Sequence, residues 1–387
     1  MKRFAVGLLA LGLAASPAAA QEKLKVGFIS TLSGASSVLG QHMLDGFMLS
    51  VDHAGGKLGG LETEIIKGDD QFKPDVGVKL AREMAERDKV NFVTGFVFSN
   101  VLVASVKPLV DNQIFVLSGN AGPSALAGER CSPYYFAVAY QNDMADETMG
   151  HYFNAKGYKR VYLMAPNYVA GRDILAGFKR TFKGEVLGEV YTRMDQQDYQ
   201  AEIDQMRAAK PDAAYVFYPG GFGINFIKQF HQTGARKDVR LYSKATVDLT
   251  NLPALGEAAL GSFEPVHWNI DFDNPASTKF VGDFIKKYNY APSIFAQASY
   301  DSGLLIDNAV RAVKGRLSDK EGIRKALEAA NIKSPRGDFK FNTNHHPIHK
   351  YHLVEAVKTP GGITLATREP LTKDPVRDSY AAKCSMK

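Results

Sequence analysis

The chain has 387 residues, with 47 basic and 41 acidic side chains and a net charge of +6. A surplus that small, with no basic run carrying interleaved aromatics, argues against a dedicated nucleic-acid-binding protein. The composition, 45% hydrophobic and 23% charged, argues against a disordered one, and the length exceeds the usual size of one hydrophobic core, so two domains are expected.

Residues 1–20 read as a secretory signal peptide. Lys2 and Arg3 form a basic start, 4–15 an apolar run, and Ala18, Ala19 and Ala20 a small-residue cleavage site. The apolar run is too short to anchor the chain across a bilayer, and no later stretch has the length of a transmembrane helix. No lipobox cysteine stands at the cleavage point, so the mature protein is expected to be free in the periplasm, starting near Gln21. Two cysteines remain, Cys131 and Cys384. In an oxidising compartment they are expected to bridge, tying the C-terminal tail to a loop nearer the middle of the chain; two free thiols are the alternative.

In chain order, 25–30 (KVGFIS) reads as a buried strand. A Gly/Ser-rich loop follows, then a helix in which Leu44, Phe47, Met48 and Val51 recur at helical spacing. Gly55, Gly56, Gly59 and Gly60 punctuate its end. Residues 61–67 form the next strand. Pro74 opens a helix, 90–98 is a strand, 101–110 a helix and 114–118 a strand. The alternation restarts after about residue 142. Helices at 144–155, 171–182, 199–209 and 222–233 alternate with strands at 160–164, 189–192, 213–218 and 240–243. Such alternation implies parallel sheets covered on both faces. The order then changes: 275–288, 296–313 and 318–330 are helices, and 339–342 and 349–357 read as strands. A chain ending this way is expected to return to its first lobe and cross back.

Taken together, KVGFISTLSG, GGKLGG, GDDQFKPDVGVKLAREM, VTGFVFSNV and FVLSGNAGPSAL resemble the leucine/isoleucine/valine-binding family of periplasmic receptors, the type I periplasmic binding proteins. The resemblance covers nearly all of 24–355. It implies an α/β fold of two Rossmann-like lobes with parallel sheets, joined by three crossover strands, with a ligand cleft between them. Lobe 1 would be 24–141 with 269–343, lobe 2 would be 142–268 with 344–365, and 366–387 a tail. It further implies a monomer that binds a small molecule by hinge bending near 139–143, 266–270 and 343–347. The ligand would then pass to the permease subunits of an ABC importer, with no cofactor. A ligand-sensing receptor for a signalling partner is an alternative role for the same fold.

Ligands of open α/β sheets sit beyond the carboxyl ends of the strands, at helix N-termini. Ser99 and Asn100 fall at one such point, and Gly119, Asn120 and Ala121 at the next. By resemblance these positions capture a ligand carboxylate through the Ser99 hydroxyl and backbone groups, although a family threonine is replaced by Ala121. Amino-acid receptors of the family carry an acid after the strand at 240–243 to balance the ligand's ammonium group. Here that stretch reads Ser243-Lys244-Ala245-Thr246, with Thr246 a polar candidate and no acid. Removing one member of a buried ion pair costs roughly 3–5 kcal/mol, a large share of the ~8 kcal/mol of micromolar binding. Asp248 could take the role if the loop shifts, which would keep an amino-acid receptor open as a second reading. Tyr168 is displaced from a family tyrosine, and a second family tyrosine falls on Pro219. Phe96, Tyr168 and Phe222 are candidate aromatic walls, and Gln41 and Gln297 further polar candidates. A cleft that keeps carboxylate capture and loses ammonium capture points to an aromatic carboxylate of the benzoate or phenylpropanoid type.

Other signals are weaker. His345, His346, His349 and His352 are expected on alternating faces of a solvated crossover strand, with no metal bound. Gly220-Gly221-Phe222-Gly223 lacks the third glycine of a dinucleotide loop, and its glycines would permit close backbone approach to ligand. No catalytic constellation is visible, so the protein is not expected to be an enzyme.

Overall fold

The structure is a computed structural model that describes residues 23–386. The expected signal peptide lies outside the described residues. The first sheet comprises β1 (Leu24–Ser30), β2 (Thr63–Asp69), β3 (Phe92–Gly95), β4 (Phe115–Ser118) and β5 (Tyr135–Ala137). They run parallel in the order β2-β1-β3-β4-β5. Between them lie α1 (Ser37–His53), α2 (Pro74–Glu86), α3 (Ser99–Val110) and the single turn α4 (Ser124–Ala127).

The second sheet comprises β6 (Arg160–Pro166), β7 (Glu185–Thr192), β8 (Ala213–Phe217), β9 (Leu241–Lys244), β10 (Phe263–Val266), β11 (His352–Thr359) and β12 (Gly362–Pro370). Its order is β12-β11-β10-β9-β8-β6-β7, parallel except for the antiparallel pairs β10–β11 and β11–β12. With it go α5 (Met144–Ala155), α6 (Val169–Thr181), α7 (Gln200–Ala209), α8 (Gly221–Gln232) and the short α9 (Leu252–Leu255). The chain then returns to the first lobe as α10 (Pro275–Tyr288), α11 (Ile294–Ala312) and α12 (Lys320–Ala329), with α11 packed along α1.

Local chemistry accounts for most of these elements. The inner strands β3, β4 and β8 are buried along their whole length, as apolar runs covered by helices on both faces must be. The edge strands β2 and β7 are half-exposed. Side chains cap the returning helices: Asn274 accepts from the Ser277 amide at 2.9 Å and Asp319 from the Gly322 amide at 2.9 Å. Pro275 occupies a first-turn position of α10 where no amide donor is needed.

The two-lobed α/β class and the return of the chain to the first lobe are present, with local corrections. The strand expected over 90–98 ends at Gly95. Gly95 (φ +108°) and Phe96 (φ +63°) turn the chain out of the sheet, and a Cβ on Gly95 would stand 2.2 Å from the Ile29 carbonyl oxygen. No strand forms at 339–342, where only Phe341 bridges to Pro347. The strand expected from 349 starts at His352, because the His349 backbone pairs with Val376 of the tail instead. His345, His346 and His349 are buried rather than solvated. His345 stacks on Phe136 at 3.9 Å and His349 on His267 at 4.8 Å, so the rings fill space at the crossings. β12 runs through the expected boundary at 365 as far as Pro370.

Three segments carry the chain between the sheets, and they touch one another. His349 Nε2 lies 2.7 Å from the Ala139 carbonyl oxygen, and the His267 ring packs against Tyr140 at 5.9 Å. Arg336, buried against Asp301 at 2.9 Å, donates to the carbonyls of Val138 and Ala139. The tail lies across this region. Asp378 accepts from Asn342 and Asn344, Tyr380 donates to Asp143, and Cys384 is disulfide-bonded to Cys131.

The disulfide pins a tail with few apolar contacts of its own. Cys384→Ser should lower Tm by several degrees, a loss of roughly 2–4 kcal/mol, and open residues after 371 to proteolysis. Calorimetry and limited digestion check this; an unchanged Tm with a protected tail would contradict it.

Candidate functional site

The two lobes face each other across the carboxyl ends of β3, β4, β6, β8 and β9. The loops that follow these strands enclose a narrow cavity of about 20 Å³. A much larger open groove, about 950 Å³, lies on the outer side of α1, between Gln41, His42 and Tyr290 of one lobe and Leu252 and Ile363 of the other. Size favours the groove. Position favours the cavity, since only the cavity sits where strand ends and helix N-termini converge from both sheets.

One end of the cavity is polar. Ser99 is the first residue of α3, and the amides of that first turn have no intrahelical acceptor. The Ser99 Oγ lies 3.1 Å from Asn142 Nδ2, and Asn142 Oδ1 accepts from the Gly122 amide at 3.1 Å. Asn120 is fixed by its bond to the Val97 carbonyl at 2.6 Å and accepts from the Tyr140 hydroxyl at 2.6 Å. Tyr168, the residue before α6, lines the cavity, and its hydroxyl has no protein hydrogen-bond partner among the described residues. Burial pushes the pKa of this phenol far up, so it stays a neutral donor.

The remaining wall is apolar: Leu39, Phe98, Ile174, Phe217, Ala245 and Phe295 are its main contributors. Phe98 packs on Phe72 at 4.0 Å and on Tyr168 at 6.0 Å, and Tyr168 stacks on Phe217 at 6.0 Å. Phe72 in turn meets Phe222 at 6.4 Å, which continues the chain of rings across the lobe boundary. No charged side chain lines the cavity among the described residues.

Of the residues singled out from the sequence, Ser99, Asn120, Ala121 and Tyr168 come together here. The others stand elsewhere. The Gly119 and Ala121 amides are already bonded to the carbonyls of Gly95 and Phe96, so neither is a free backbone donor. Asn100 buries its Oδ1 beside Ser99 without lining the cavity. Phe96 is in the core because the turn at 95–96 exchanges its facing for that of Phe98. Phe222 belongs to the ring chain at the rim. Gly220 and Gly221 lie against the opposite lobe, where a Cβ on Gly221 would stand 2.9 Å from the Ala35 carbonyl oxygen. Gln41 borders the outer groove and donates to Asp45. Gln297 joins Ser334 and Arg336 around Asp301.

The loop after β9 explains where the nearby acids went. Thr246 accepts from the Tyr218 amide and donates to the Lys244 carbonyl. Asp248 turns back on Thr250, and it does not line the cavity. Glu264, from the unexpected strand β10, accepts at one oxygen from Ser243 Oγ and from the amides of Thr246 and Val247, at 2.6–2.8 Å. It thereby fixes Ala245 in its left-handed conformation (φ +49°) against the cavity. Lys244 points behind the wall to the Asn142 carbonyl and Asp146, with its ammonium 4.5 Å from the Tyr140 ring centre. Tyr140, Asn142, Phe98 and Glu264 were missed from sequence. A Tyr-Gln-Asn at an expected hinge was the available signal for the first two.

Burial is the largest influence on Glu264 and pushes its pKa from 4.5 up to about 7. Between those values the folded protein keeps a proton that the unfolded chain has lost, so this residue's contribution to stability falls as pH rises through the window. Glu264→Gln should flatten that fall by up to about 1.4 kcal/mol per pH unit. Thermal unfolding of both proteins across the window checks this, and parallel profiles would refute it.

A family model described as periplasmic binding protein matches residues 23–361. A Leu/Ile/Val-binding protein homolog 6 from Brucella melitensis is 26% identical, covering 94% of this chain and 95% of that protein. An ABC transporter solute-binding protein from R. palustris, solved in complex with benzoate, is 29% identical with a TM-score of 0.88, covering 94% of this chain and 100% of that one. A second, from Rhodopseudomonas palustris BisB5 and in complex with 3,4-dihydroxybenzoic acid, is 26% identical with a TM-score of 0.84, covering 92% and 99%. Two lobes built on separate α/β sheets, meeting over a cavity at their strand ends, are therefore the architecture of a known receptor class, and this chain belongs to the periplasmic binding protein family.

Proposed function

We propose that this protein is the periplasmic receptor of an ABC importer for a small aromatic carboxylate of the benzoate type, held between the lobes by hinge closure. The observation that carries the reading is the composition of the cavity wall. Hydroxyl and amide groups gather at the N-terminus of α3, aromatic and aliphatic side chains form the rest, and among the described residues no acid stands on the wall to neutralise an ammonium group. An anionic carboxylate gains from the unpaired amides and partial positive charge of the helix start. The ring would lie among Phe98, Tyr168 and Phe217, parting walls that nearly touch in the present arrangement. The benzoate and dihydroxybenzoate complexes of the two R. palustris relatives support the same ligand class. An amino acid would bury its ammonium beside no carboxylate, since Asp248 and Glu264 are both engaged by their own loop.

Titration calorimetry with benzoate, phenylacetate, leucine and valine tests the reading. Aromatic acids should bind at micromolar concentration or tighter, and the amino acids should not. Tight leucine binding without aromatic-acid binding would overturn it. Ser99→Ala should weaken the preferred acid by about tenfold or more, the usual effect of losing a hydrogen bond to a charged group.

Closure can be tested apart from ligand chemistry. Gly221→Ala places a methyl group against Ala35 of the other lobe only when the lobes meet. Affinity should drop while the Tm of the unliganded protein holds; equal affinity would show that the lobes need not approach this closely.

A further inference from the structure

Asp173 lies on α6, outside the cavity, and holds three hydrogen bonds that join both lobes and a crossing. Ser124, the first residue of α4 in the opposite lobe, donates to it twice, from its amide to Oδ2 at 3.0 Å and from its hydroxyl to Oδ1 at 2.7 Å. Asn142, on the first crossing segment, donates from Nδ2 to the same Oδ2 at 2.9 Å. That amide nitrogen also donates to Ser99 Oγ at 3.1 Å, whereas the reverse bond, from Ser99 Oγ to Asn142 Oδ1, is longer at 3.4 Å. With the Ser99 oxygen accepting from Asn142, its proton is left to donate into the cavity.

We propose that Asp173 is a positioning residue for ligand capture: it latches the lobes through Ser124 and, through Asn142, orients the Ser99 hydroxyl toward the ligand's carboxylate. The inference rests on the reading of the cavity as a carboxylate site. A carboxylate suits the role because it accepts three donors at once, and charge-assisted bonds are stronger than neutral ones. An amide offers one acceptor oxygen, so it cannot serve both oxygens' donors. Asp173 is half-buried, and when the lobes part water replaces Ser124 at little cost. The latch therefore acts on the closed form and governs chiefly the dissociation rate. It also couples two events otherwise separate: the orientation of Ser99 and the contact between lobes share one carboxylate.

The test uses the full chain and the variants Asp173→Asn, Ser124→Ala and the double variant, with benzoate, phenylacetate and leucine as probes, by calorimetry and stopped-flow dissociation. Asp173→Asn should weaken the best probe by about tenfold or more, mainly through faster dissociation, with the Tm of the unliganded protein unchanged. Ser124→Ala should speed dissociation less, since the link through Asn142 survives, and the double variant should be no worse than Asp173→Asn alone. Wild-type affinity and dissociation in Asp173→Asn would overturn the proposal, as would additive effects in the double variant or a loss of unliganded Tm that accounts for the weakening. If leucine binds and the aromatic acids do not, the proposed ligand class fails while the latch is judged on leucine. If no probe binds, hydrogen exchange over 122–128 decides: faster exchange in Asp173→Asn supports the latch and equal exchange overturns it.

Discussion

A carboxylate taken out of water must find donors or give up its charge, and around this cleft each one has done so inside the protein. Asp146 is held by Lys244 and Tyr215, Asp301 by Arg336, Ser334 and Gln297, Glu264 by the backbone of the loop it shapes, and Asp248 by Thr250. The cavity is left neutral and rich in donors as a consequence. A neutral wall at a helix N-terminus favours an anion over a cation, so the proposed ligand class rests on how acids are spent elsewhere.

The two sheets differ in what they lend to this arrangement. The first brings donors to the cavity on the loops after β3 and β4, where a tight turn at 95–96 hands the cleft-facing position to Phe98. The second brings Tyr168 and Phe217 on the loops after β6 and β8, and holds the loop after β9 rigid from behind. Between them, contact is made by small or flat groups: the Gly220-Gly221 backbone against Ala35 and Ser36, and the rings of Phe72 and Phe222. Such seams bury few flexible side chains, whereas the crossings are packed around the buried Arg336–Asp301 pair and the His267–His349 stack.

Much of the fold was legible because its signals are local. Helical periodicity over 275–288 and 318–330, continuous apolar runs at β4 and β8, and strand–helix alternation each report on their own neighbourhood. The unforeseen strands lack such signals. β5 is three residues long, and β10 carries Glu264 and Pro265 in its middle, a pattern that argues against an interior strand. In the site, Ser99, Asn120, Ala121 and Tyr168 were legible from their places at strand ends, but Phe96 and Phe98 were not distinguishable, since the left-handed turn at Gly95 and Phe96 decides which of the two rings faces the cleft.

The sequence by itself determined the α/β class and the lack of an acid at the position where amino-acid receptors of the resembled family carry one, and it left the return of the chain to its first lobe and the pairing of Cys131 with Cys384 as expectations. These depend on residue type and periodicity, which neighbours in the chain decide. Only the tertiary structure decided that the remaining acids are occupied, that Asn142 and Asp173 stand behind Ser99, and that four histidines near the last crossing are packed or paired rather than exposed. Many of those contacts join residues far apart in the chain, 17 positions for His345 and Glu328 and 210 for His349 and Ala139, so they exist only once the lobes have formed and the crossings have brought them together.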